Sequence, residues 1–209
     1  MPLESKIELL AHQILDEREI KLALRLTLLL GDPQWDSGSL ISDIIPQYWE
    51  GARSIDPQFI YRPLYYLWLY GSRSHFEDYS RPFLNNIGMH TEGCLHELAL
   101  TLKDPPMTSP IGVLVHRLLK ENVLSHHLSQ SLLGFNRAVV VPAKHLAAQY
   151  ALTSRLDERT FKAYDAAFAF VMMRKLSMEL FTLLKARGKR LPHHWKEFRD
   201  EWLVWDKRA

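Results

Sequence analysis

One cysteine, Cys94, in a chain of 209 residues excludes an internal disulfide. It fits a reducing compartment. No run approaches the ~18 apolar residues needed to span a bilayer, so no membrane partner is expected. Behind Met1-Pro2-Leu3-Glu4-Ser5-Lys6 there is no long apolar stretch of the secretory kind, and the expected location is cytoplasmic. Charge of one sign is also missing. The 26 Lys and Arg nearly balance the 24 Asp and Glu, leaving a net charge of +2. A dedicated duplex-DNA binder usually carries a clear basic stripe, and this chain does not, although a local basic site stays open. No Gly-rich loop follows a strand, which removes support for doubly wound nucleotide-binding folds. Internal repeats and low-complexity segments are absent as well.

What remains is a globular composition, 47% apolar and 24% charged, patterned almost throughout for helix. Between Leu3 and Leu30, apolar residues recur at Ile7, Leu10, Ile14, Ile20, Ala23 and Leu24. The polar cluster Asp16-Glu17-Arg18-Glu19 predicts a bend between two helices, and Gly31 with Pro33 predicts their end. Leu40 to Trp49 reads as a short helix. Asp56-Pro57 is a helix start, with an acidic cap followed by proline at the first position. The run from Phe59 to Tyr70 is apolar nearly all round, which predicts burial in the core or in a subunit interface, with Pro63 kinking it.

Ser80 and Pro82 predict the start of another helix with the stripe Phe83, Ile87, Cys94, Leu95, Leu98 and Leu102, ended by Pro105-Pro106. Ser109-Pro110 opens a helix bearing Val113, Leu114, Leu118 and Leu119. The next runs from about Leu124 through Leu128, Leu132 and Phe135. The longest periodic stretch spans about Arg159 to Arg187, with Phe161, Tyr164, Phe168, Met172, Leu176, Leu180 and Leu184 at helical spacing. Asp157 is its expected cap, and Gly188 and Pro192 its end. Ala138 to Val141 is the one strand-like segment. A short strand and a helical or extended kink before Pro142 fit it equally. The pattern predicts an all-α antiparallel helical bundle. Its parts are an amino-terminal hairpin and loop (1–55), a bundle core (56–188) and an aromatic docking helix (189–209), making one domain overall.

Few side chains suggest chemistry. His90, Cys94 and Glu97 fall at i, i+4 and i+7 and are zinc-ligand types. Three ligands on one helix are not a recognised zinc spacing, and there is no second cysteine. A buried thiol beside a hydrogen-bonded histidine is the expectation, with no metal and no cofactor. The adjacent pairs His126-His127 and His193-His194 diverge by about 100° on a helix and do not chelate. Gly134 reads as a helix end. Tyr65 and Trp68 would suit base stacking or a small-molecule pocket, but an aromatic stripe on an apolar helix is more often core or interface. Trp195, Phe198, Trp202 and Trp205 form one face of a short amphipathic helix suited to docking on the body or on a protein partner.

Asn136, Arg137, Lys144 and His145 place an amide, a guanidinium, an ammonium and an imidazole around the apolar segment Ala138–Ala143. They serve a structural role as caps and ion pairs, or they form a phosphate site. In the second reading Arg137 and Lys144 hold the phosphate, Asn136 orients it and His145 transfers a proton. Those groups suffice to break a phosphodiester without a metal. The element, followed by a long helix carrying Phe161, Ala166 and Arg174-Lys175-Leu176, resembles the HEPN superfamily over about residues 59 to 187. Members are helical-bundle domains, commonly dimeric. Many are metal-independent ribonucleases of toxin–antitoxin and antiviral systems, and others bind partners or nucleotides without catalysis. Their hallmark is an Arg with a His some four to six residues later and a polar residue beside the Arg. Here seven residues separate Arg137 from His145, and Asn136 precedes the Arg. The resemblance implies Arg137 and His145 as catalytic residues, Asn136 and Lys144 as substrate-binding residues, and single-stranded RNA as the substrate. A homodimer would bring His145 of one chain toward Arg137 of the other. The alternatives are a non-catalytic helical dimer that binds a protein partner and a small-molecule-binding bundle.

Overall fold

The computed structural model describes residues 6–32, 71, 75–106, 109–144 and 161–188. All regular structure among them is helical: α1 (Lys6–Ile14), α2 (Glu17–Leu29), α3 (Phe76–Ala99), α4 (Ile111–Lys120), α5 (His126–Phe135), a π-helical turn (Asn136–Val140) and α6 (Ala163–Ala186). The fold is all-α. The expected helices at Leu40–Trp49 and Phe59–Tyr70, the Asp157 cap, His193-His194, the Trp195–Trp205 face and His145 lie outside the described residues. The described part therefore covers most of the expected core segment and only part of the amino-terminal one.

The polar cluster at Asp16 divides α1 from α2. Asp16 Oδ1 accepts the Glu19 N–H at 2.9 Å, and Glu19 Oε2 accepts the Asp16 N–H at 2.9 Å. Two amides that a helix start leaves unpaired are thus satisfied reciprocally. Between α4 and α5 the chain reverses at Asn122, whose φ is 55°. The Asn122 N–H donates to Leu119 O and the Val123 N–H to Leu118 O, the double closure that a left-handed residue permits at a helix end. Ser125 then caps α5 by accepting the Leu128 N–H at 3.1 Å.

α6 is the centre of the molecule. Phe168, Met172, Leu176 and Leu180, expected to be buried, are 0–1% exposed. The helix begins at Ala163, later than the Arg159 read from periodicity, and Asp165 accepts the Lys162 N–H at its start. α3 lies against it in the same direction. Glu77 pairs with Lys162, Ser80 Oγ donates to Phe161 O at 2.8 Å, Phe83 stacks on Phe170, and Arg187 reaches Thr101. The two longest helices therefore run parallel. The expected antiparallel order does not describe this central pair, because α4 and α5 carry the chain back between them.

α3 also starts earlier than Ser80, at Phe76, and Pro82 sits inside it. Proline removes one N–H donor there. The Ser80 hydroxyl shares its one hydrogen between Glu77 O at 2.7 Å and Phe161 O, and Asn86 Nδ2 donates to Pro82 O at 2.7 Å. The helix ends at Ala99, several residues ahead of Pro105-Pro106. Its stripe of Phe83, Ile87, Cys94, Leu95 and Leu98 is buried as expected. Val113 is the exception among the stripe residues of α4: it is 54% exposed, while Ile111, Leu114, Val115 and Leu118 make the inner face.

Candidate cationic site at the π-helical turn

The valine-rich segment is not a strand, and of the alternatives the helical one holds. α5 continues through Phe135 into the π-helical turn, where the Val141 N–H donates to Asn136 O, five residues back. Consecutive β-branched residues favour strand, but packing overrides that preference here. The widened turn lets both Val139 and Val140 face inward, 0% and 1% exposed. Val140 packs on α3 at Gly88, where a Cβ would lie 2.7 Å from Val140 Cγ1. Only a glycine surface lets the two backbones come this close. Gly134 is the last-but-one residue of α5, just before the π-helical turn, and faces Leu10 of α1.

Turning the valines inward turns the polar residues outward. Arg137, Val141 and Lys144 are exposed, while Val139, Val140 and Ala143 are buried. Arg137 makes no hydrogen bond or ion pair among the described residues, and Asn136 beside it is half-buried. Lys144 differs: its Nζ is 2.5 Å from Glu92 Oε2 of α3, with the two side chains 32% and 29% exposed. The structure thus leaves both Arg137 and Lys144 exposed. It also gives Lys144 an acidic partner 52 residues away that sequence spacing did not reveal.

A second basic group stands beside Lys144. Arg81 of α3 donates its Nε to Ala143 O at 3.1 Å, tying α3 to the end of the turn. An open groove of about 320 Å³ lies there, lined by Arg81, Pro82, Asn85, Ala143 and Lys144. Arg81 and Asn85 were missed from the sequence because only the apolar stripe of α3 was read. Their i, i+4 spacing on its polar side was the available signal.

The other constellation of reactive residues is sealed. His90 Nε2 lies 3.0 Å from Ser177 Oγ and 3.6 Å from Cys94 Sγ, and all three residues are 0% exposed. Burial pushes the Cys94 thiol far above its ordinary range, against a smaller lowering by the Ser177 hydrogen bond. A thiol that holds its proton and meets no solvent is not a nucleophile. Cys94 is therefore the expected buried thiol beside a hydrogen-bonded histidine, while Glu97 is only partly buried. His126 and His127 are exposed. Among the described residues no three His, Cys, Asp or Glu side chains gather into a metal-holding group, and no helix is long and apolar enough to cross a membrane. In comparisons with known proteins, no family model, curated protein or solved structure matches the chain.

Proposed function

We propose that the protein is a HEPN-like, RNA-directed helical protein that engages the phosphate backbone of single-stranded RNA through the face bearing Arg137 and Lys144. One observation carries the reading: Arg137 stands exposed and unpaired among the described residues, seven positions before the exposed Lys144. A guanidinium in that state keeps its donors for a ligand, and its planar fork matches phosphate oxygens. π-helical turns inside α-helices occur frequently at functional sites, which adds support.

The catalytic form of the proposal is metal-independent RNA cleavage in a toxin or defence system. The 2′-hydroxyl attacks the adjacent phosphorus and the 5′-oxygen leaves. His145, next in sequence to Lys144, transfers the proton, Arg137 stabilises the charge that develops on the phosphate, and Asn136 orients it. The test is cleavage of a labelled single-stranded RNA in the presence of a chelator. Arg137→Ala and His145→Ala should each lower the rate by ~10²-fold or more. Intact RNA after prolonged incubation with wild-type protein, with and without divalent metal, would reject the catalytic form.

A non-catalytic homodimer is the second reading, and the exposed apolar side chains of the amino-terminal helices favour it. Leu24 and Leu28, one turn apart on α2, are 44% and 82% exposed, and Leu9 of α1 is 49% exposed. Light scattering at micromolar concentration decides it. A dimer that Leu28→Glu dissociates supports this face, and a wild-type monomer removes it.

A further inference from the structure

The groove beside Lys144 contains more than the RNA reading uses. Arg81 commits one nitrogen, Nε, to Ala143 O at 3.1 Å, and that bond fixes the plane of the guanidinium. Its two terminal nitrogens have no partner among the described residues, and the residue lines the groove. Asn85, one helical turn along α3, lines the same space. Among the described residues its Nδ2 contacts only the Met89 sulfur at 4.0 Å, a weak acceptor, so the amide has little to lose by turning to a ligand. Lys144 closes the other side and is held by Glu92. A volume of about 320 Å³ is at the lower end of the range for small-ligand sites, about 300–1,000 Å³.

This combination has a specific electrostatic logic. Two cations and an amide donor line an open space, and among the described residues the only carboxylate bound to them is that of Glu92. The Lys144–Glu92 pair is partly solvated, so holding it contributes little to stability. An arriving anion with several oxygens could take Arg81 in bidentate fashion and Lys144 from Glu92. A carboxylate already in place therefore acts as an internal competitor that weakens casual anion binding.

We propose that the Arg81–Asn85–Lys144 groove is a phosphate-binding site gated by Glu92. Its occupant is a phosphate group, and its source is the RNA backbone adjacent to the phosphate held at Arg137. The choice of source rests on the function proposed above; the phosphate chemistry does not.

The experiment measures binding of inorganic pyrophosphate and of a short single-stranded RNA to the full chain, across a series of salt concentrations. Glu92→Gln should tighten both by several-fold, a gain that misfolding cannot produce. Arg81→Lys keeps the charge but loses the fork and should weaken both. Lys144→Gln should weaken RNA binding and reduce the slope of log K against log salt by about 0.7, the loss of one single-strand phosphate contact. If folded Glu92→Gln and Arg81→Lys proteins bind both probes as the wild type does, the groove is not a phosphate site. That holds even where Arg137→Ala abolishes RNA binding and so upholds the RNA reading. If pyrophosphate responds to these variants while RNA is not bound at all, the groove stands as a site for free phosphate compounds and the RNA reading falls.

Discussion

Lys175 of α6 donates to the same oxygen of Glu19, Oε2, that accepts the Asp16 N–H and closes the cap of α2: the two distances are 2.7 and 2.9 Å. One carboxylate thus ends the α1–α2 bend and fastens it to the central helix. The pair is 29% and 17% exposed, less solvated than Glu17–Lys21 on the outer face of α2, at 84% and 71%. Glu19→Ala removes a cap and an ion pair together. The expected loss is about 1–2 kcal/mol in urea unfolding. Lys21→Ala should cost no more than about 0.5 kcal/mol. Equal losses from the two substitutions would contradict this assignment.

Two glycines that look alike in sequence should respond in opposite ways to alanine. At Gly88 the added Cβ meets Val140 Cγ1 at 2.7 Å, a buried β-branched side chain with nowhere to turn. Overpacking of this kind costs about 1–3 kcal/mol. At Gly134 it meets the tip of Leu10 at 2.8 Å, a flexible and half-buried side chain. Rotation of Leu10 relieves that contact, and alanine gains up to about 1 kcal/mol of helix propensity. Melting temperatures of Gly88→Ala and Gly134→Ala should therefore fall on opposite sides of the wild type, several degrees apart, with Gly88→Ala the lower. The Gly88 substitution should also disturb the outward face, since Val140 lies between Arg137 and Lys144 in the turn.

Cys94 sets a dependence on alkaline pH. Its thiol is raised in the folded state by burial, while in the unfolded chain it ionises near 8.5. Below that pH the two states bind the same proton and stability is unaffected. Above it the unfolded chain binds fewer protons than the folded one, so stability falls as pH rises. The limit for one thiol is about 1.4 kcal/mol per pH unit. Stability followed from pH 8 to pH 10 should decline more steeply for the wild type than for Cys94→Ala. A thiol reagent should label Cys94 only after unfolding; labelling of the native protein at the rate of an exposed thiol would contradict its burial.

Arg137 is exposed and makes no bond among the described residues, so Arg137→Ala should leave stability within about 0.5 kcal/mol of the wild type. Loss of RNA cleavage or binding in that variant would then reflect the site and not the fold. An unfolding midpoint that drops with the activity would mean the guanidinium is a structural tie.

The helices were legible because burial acts on periodic positions. Phe168, Met172, Leu176 and Leu180 recur at one face and are buried on that face. The bend at Asp16 was legible because its polar cluster carries both halves of a capping box. The π-helical turn was not. Val139, Val140 and Val141 carry a strand preference, and what reverses it is a glycine on another helix, 52 residues before Val140. Pro82 misled for a related reason: proline marks a helix start by local rules, whereas packing on α6 carries α3 through it. At the candidate site, Asn136, Arg137 and Lys144 were legible because they stand close together in the sequence around one apolar segment. Glu92, Arg81 and Asn85 come from the neighbouring helix, and periodicity carries no information about which polar faces will meet.

The parallel arrangement of α3 and α6 has a consequence for synthesis. Two helices that lie side by side in the same direction cannot be joined by a short turn, and here the intervening chain is α4, α5 and the segment beyond them. Translation proceeds at about 5–20 residues per second, so the ~60 residues between the two helices take roughly 3–13 s to emerge. For that interval Phe83 and His90 lack the Phe170, Ser177 and Phe181 side chains that finally meet them, and the nascent chain presents an uncovered face of α3. The helix that completes the core is also the last described one to leave the ribosome, which makes α3 the natural segment for a chaperone to hold.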